Sequence, residues 1–165
     1  TYGKQSNQAN HAEIMWRYMT STNETQSRVG VEVIATLQTD ELFQPATLTS
    51  QTSFTSGNIS IYSPKGTWLD SETNAPTANA NAILCHFSNG TSYLEIPHPM
   101  DAHGFTLNCN GPSTRWEFLL LDQKLEKGVI HRARIQGWWC SDLLTQDAAS
   151  ELIASLANSP LPLTT

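Results

Sequence analysis

Charge is scarce in this chain. Charged residues make up 15% of the sequence, against ~25% in an average soluble protein, and Ser, Thr, Asn and Gln fill the surface positions that Lys and Glu usually take. Nine Lys and Arg stand against fifteen Asp and Glu, for a formal charge of −6. That balance argues against a nucleic-acid partner, because phosphate binding draws on clustered cations and no basic stripe is present. No apolar run approaches the ~18 residues of a membrane-spanning helix, so no membrane span is expected. Cysteine is sparse too: Cys85, Cys109 and Cys140 are an odd number at separations that match no zinc-ligand spacing. They read as three half-buried thiols, or as one disulfide with a thiol left over. The sequence opens at Thr1 with no signal-peptide pattern, which leads us to expect a processed or trimmed N-terminus. Also missing are the G-x-S-x-G, P-loop, dinucleotide and H-E-x-x-H patterns. Triad and phosphate chemistry therefore lack support, and neither a cofactor nor a metal is expected.

What is present is β-rich. At 165 residues the chain fits one domain, 1–165, large enough to bury a core without disulfide or metal staples. The stretch from His103 to Cys140 is its centre. Phe105, Leu107 and Cys109 alternate with polar neighbours as in a half-buried strand, and a Gly-Pro turn follows. Residues 115–122 are apolar on both sides, as in a central strand. Val129 to Cys140 forms one long strand with two unlike faces. Val129, His131, Ala133 and Ile135 lie on one; Arg132, Arg134, Gln136 and Trp138 lie on the other.

Earlier in the chain, Asn10 and Glu13 have the spacing of a capping box. With Ile14, Met15, Tyr18 and Met19 at helical intervals, they predict a helix over 11–21. Val29 to Leu37 alternate as a strand, and 47–55, 58–62 and 67–69 extend it into an antiparallel meander. Residues 70–81 contain no large apolar side chain and read as a long surface loop. Asn89-Gly90 between two β-rich runs signals a hairpin. A two-residue turn there pairs His86 with Tyr93 and Leu84 with Glu95. Thr145 caps a C-terminal helix whose stripe is Ala148, Ala149, Leu152, Ile153 and Leu156, ended by Ser159-Pro160. Residues 1–9 and 160–165 read as loose tails. The fold class that follows is mainly β: a single curled or barrel-like antiparallel sheet, with an N-terminal and a C-terminal helix packed on it.

Three groups of side chains can carry chemistry. His86, Tyr93 and Glu95 share one face under the two-residue turn, and imidazole, phenol and carboxyl together can act as acid and base near neutral pH. On a wet face the same trio is ordinary surface. His131, on an apolar face, is a further acid–base candidate, or simply a core histidine with its hydrogen bonds met. Arg132 and Arg134 project side by side about 7 Å apart. With Gln136 and Trp138 they form a row suited to a carboxylate or phosphate group of a ligand; otherwise they pair with Glu117 across the sheet. His98, Asp101 and His103 are metal-capable types, but their loop enforces no geometry.

The expected function is a non-enzymatic binding or regulatory protein, whose curled sheet accommodates an apolar or amphipathic small molecule or a protein partner. The alternatives are a small cofactor-free enzyme of the isomerase, cyclase or lyase type using histidine acid–base chemistry, and an extracellular interaction module. The last draws on the sequons at Asn23, Asn58 and Asn89.

Overall fold

A computed structural model of the chain describes residues 10–23, 26–55, 57–70, 79–110 and 113–160. The expected tails 1–9 and 161–165, and the body of the expected surface loop, 71–78, lie outside the described residues. Next to them, Asp70 ends a strand and Ala80 is buried. Pro160 is tied down, its carbonyl accepting a hydrogen bond from Arg134.

The described residues form ten strands, arranged in two sheets, and one helix. In chain order the strands are β1 (Asn10–Asn23), β2 (Gln26–Thr39), β3 (Phe43–Phe54), β4 (Asn58–Tyr62), β5 (Trp68–Asp70), β6 (Ala82–His86), β7 (Ser92–Pro97), β8 (Gly104–Asn110), β9 (Ser113–Glu126) and β10 (His131–Cys140), followed by α1 (Gln146–Ala157). A seven-stranded sheet runs β1-β2-β10-β7-β6-β4-β5, and a three-stranded sheet runs β3-β9-β8. All pairings between strands are antiparallel.

This corrects three expectations. First, the described residues form no closed barrel: β1 and β5 are the two edges of the large sheet, and the small sheet packs on its face instead of closing it. Second, residues 11–21 are strand. Every residue of β1 pairs with one of β2, so the helical stripe divides, Ile14 and Tyr18 going to one face and Met15 and Met19 to the other. Third, 29–69 is not a meander, because β3 leaves β2 to pair with β9 on the other sheet. There it is an edge strand, the position in a sheet where a proline such as Pro45 is tolerated.

The large sheet is covered on both faces, hence the run of buried residues in β6 and β7. Toward the small sheet it contributes Ile59, Ile61, Ile83, Cys85 and Ile135, which meet Phe105, Trp116, Phe118 and Leu120. A bulge at Leu120, where Leu48 pairs with Leu121 but Thr49 with Leu119, puts two successive leucines indoors. Toward the helix, Leu84, Leu94, Ile96, Trp138 and Leu144 meet Ala149, Ile153 and Leu156. The cap forms as expected: the Thr145 hydroxyl accepts from the Ala148 backbone N–H at 3.3 Å, and Asp147 lies in the first turn.

Candidate functional site

The site grows from a missing side chain. Gly137 stands in the middle of β10, directly opposite Val31 of β2 and Glu95 of β7. A Cβ there would lie 2.6 Å from the Tyr93 hydroxyl, so glycine alone lets the Tyr93 ring lie across β10. The space left between the sheets is a cleft of about 220 Å³. Its walls are apolar and aromatic: Trp16 from β1, Val31 and Val33 from β2, Ile135 and Trp139 from β10. Ser50 and Thr52 reach in from β3, and Tyr93 and Glu95 from β7.

Glu95 is 2% exposed, yet four donors surround its carboxyl group. Ser50 Oγ donates to Oε1 at 3.2 Å, while Oε2 accepts from Thr52 Oγ1 at 2.6 Å, Tyr93 OH at 3.1 Å and Trp116 Nε1 at 3.2 Å. None of these donors is basic. Burial pushes the carboxyl above the ordinary glutamate range, and the hydrogen bonds pull it partly back. The Tyr93 phenol is pushed far up, by burial first and by the neighbouring Glu95 charge second, so it stays protonated. The aromatic wall is held by ring contacts: the Trp139 centroid lies 4.9 Å from Tyr93 in a tilted pair and 5.4 Å from Phe54 in an edge-on one. A buried carboxyl of this kind can accept a hydrogen bond, pair with a cation or exchange a proton.

Tyr93 and Glu95 come together as expected, but without His86. The hairpin closes over five residues, Phe87 to Thr91, with Phe87 N–H bonded to Thr91 O and Gly90 N–H to Phe87 O. Gly90 takes φ +84°, which glycine adopts without cost. Ile83 is therefore opposite Glu95, and Cys85 opposite Tyr93. This one-residue slip relative to the expected register moves His86 to the helix side. There its Nε2 lies 2.8 Å from the carbonyl of Leu144.

His131 opens β10 at the far end from the cleft and contacts the Gln123 amide. The arginine row shares a face, as expected, but its members diverge. Arg134 is 1% exposed, and its Nη1 donates to Ser159 Oγ at 3.0 Å and Pro160 O at 3.1 Å. Gln136 bridges Glu32 Oε1 at 2.9 Å and the Trp138 indole N–H at 3.0 Å. Arg17 pairs with the other oxygen of Glu32 at 2.7 Å. Arg132 borders a separate polar groove with His11, Glu13, Thr36 and Gln38. Glu117 is no partner for either arginine, because it points off the outer side of the small sheet, beside Arg115 and Asn108.

Among the 98–103 residues, His98 is buried and accepts from Met100 N–H at 3.3 Å, Asp101 takes the backbone N–H of Arg134 at 2.8 Å, and His103 is exposed. Among the described residues, no three His, Cys, Asp or Glu side chains are grouped to hold a metal ion. All three cysteines are free thiols. Cys85 and Cys140 are buried on opposite faces of the large sheet, and Cys109 is exposed.

Sequence reading did not single out Gly137, Trp16, Trp139, Ser50 or Thr52. Gly137 carried a usable signal, since a glycine inside an otherwise bulky strand marks a close approach. No protein-family model matches the chain, and no curated protein matches its sequence.

Proposed function

We propose that this chain is a non-enzymatic binding protein, whose inter-sheet cleft takes a small amphipathic group with its polar end toward Glu95. One observation carries the reading: a carboxyl 2% exposed, with no basic partner among the described residues, at the floor of an apolar and aromatic cleft. A buried ionisable group without a counter-charge is costly to keep and is a mark of a functional site. The cleft is smaller than the ~300–1,000 Å³ of drug-sized pockets. Its occupant is thus a compact molecule, or one side chain of a protein partner. Ile14, Trp16 and Tyr18 are exposed on the same face of the edge strand β1 and extend the apolar surface outward, which supports a partner's access.

Amide chemical shifts test this reading on titration with a panel of small alcohols, amides and amines. The expected shifts centre on Thr52, Glu95 and Gly137, and vanish in Gly137→Val, whose side chain collides with Tyr93 and forces it into the cleft. Shifts that persist in Gly137→Val, or that never reach these residues, overturn the reading.

A second reading is favoured by the raised carboxyl beside a phenol: a cofactor-free enzyme in which Glu95, not His86 or His131, moves the proton. Turnover abolished by Glu95→Gln while binding persists would select it. The exposed Asn58 and Asn89 support the extracellular module, and a glycan on either would favour display outside the cell.

A further inference from the structure

We infer that the cleft selects an alkylated ammonium group; the inference rests on the binding reading above and names the class of ligand. Three features converge on it. Among the described residues the carboxylate at the floor has no basic partner and its Oε1 accepts only from Ser50, which keeps a lone pair for a counter-charge. The walls supply Trp16, Tyr93 and Trp139, whose ring faces attract a cation, most strongly when it is shielded from water.

The third feature is the distribution of hydroxyl protons. Ser50, Thr52 and Tyr93 are the hydroxyl groups of the lining, and each gives its proton to Glu95. Around Glu95 the cleft therefore offers acceptor capacity and no spare hydroxyl donor; the indole N–H groups of Trp16 and Trp139 are the lining's other donors, on side chains 71% and 44% exposed that can bond water. An anion or a sugar placed against Glu95 would find its acceptors unmatched there, a costly state for buried polar groups. A bare ammonium would need three acceptors for its three protons. An ammonium carrying methyl groups needs few or none: it presents charge to Glu95 and apolar surface to the rings, Val31, Val33 and Ile135. Its compact shape suits a space of about 220 Å³.

Calorimetric titration of the full chain with choline and with its uncharged isostere, 3,3-dimethylbutan-1-ol, tests the charge directly. The expected result is choline binding at least about tenfold tighter than the alcohol, with that preference lost in Glu95→Gln. Trp16→Ala is expected to weaken choline by about tenfold. It sits 71% exposed on an edge strand, so it reads out recognition even if Glu95→Gln does not fold. A peptide bearing trimethyl-lysine tests a polypeptide source: binding tighter than choline supports the inference and assigns the group to a partner's side chain. Equal affinity for choline and the alcohol overturns the charge selection and leaves the amphipathic-ligand reading standing. No binding of either compound overturns both.

Discussion

Glu95 is held by hydrogen-bond donors instead of by an opposite charge, so its protonation is linked to folding. Burial raises its folded value above the unfolded one, so the folded chain binds the proton more tightly. The contribution is fully present below the ordinary glutamate value of ~4.3 and is lost as pH rises through the folded value. The titratable side chains on the same sheet face beside it, Tyr93 and Cys85, are both pushed up by burial, Cys85 to about 11, and stay neutral in this window. Denaturant unfolding across a pH series should therefore show wild type losing stability relative to Glu95→Gln as pH rises above ~4.3. Asp101 is raised by burial as well, which is why the difference between the two proteins, not either curve alone, reports Glu95. His98 acts in the opposite sense. Burial, and then Arg134, lowers its value, so its contribution is lost as pH falls below the unfolded ~6.5. The thiols differ in the same way: burial pushes Cys85 and Cys140 to about 11, while Cys109 is exposed. A thiol reagent at neutral pH should modify Cys109 in the native protein and reach the other two only in denaturant.

The elements owe their order to different sources of stability. Helix α1 is capped by Thr145 and buries Ala149, Ile153 and Leu156 against β6, β7 and β10. Leu156→Ala removes a fully buried side chain and should cost about 2–5 kcal/mol in denaturant unfolding. A loss under half a kcal/mol would show that the helix is peripheral. Strand β1 stands at the other extreme. Trp16 and Tyr18 are exposed, and burial imposes no period on the strand that a sequence reading could detect, which is why its residues fit a helical stripe equally well. What holds it is the fourteen-residue register with β2 and the pairing of Arg17 with the buried Glu32. The β6–β7 turn was legible as a turn but not in length. Asn89-Gly90 supports either a two-residue loop or a type I turn followed by a left-handed glycine, and that choice decides which face Glu95 occupies. Strand β10 was the most legible element: its two unlike faces are both real, because one meets the small sheet and the other the helix.

At the level of the whole molecule, the class of fold could be read from alternation and turn residues, but its division into two sheets could not. No local feature of residues 43–54 reveals that their partner is β9, about 70 positions away in the chain. The candidate site shares this origin. Trp16, Ser50, Glu95 and Gly137 are far apart in sequence and meet only because β3 crosses to the small sheet while β2 pairs with β10. Tyr93 and Glu95 were visible as a pair, whereas the hydroxyls that hold Glu95 were not. The claim that this carboxyl is where a ligand makes its polar contact is tested most directly by carbon-13 NMR titration of the Glu95 side-chain carboxyl, without and with saturating choline. We expect it to titrate above the ordinary ~4.3 in the free protein and to shift downward when the cation binds. Titration like an exposed glutamate, unmoved by choline or by any small amphipathic probe, would contradict the assignment.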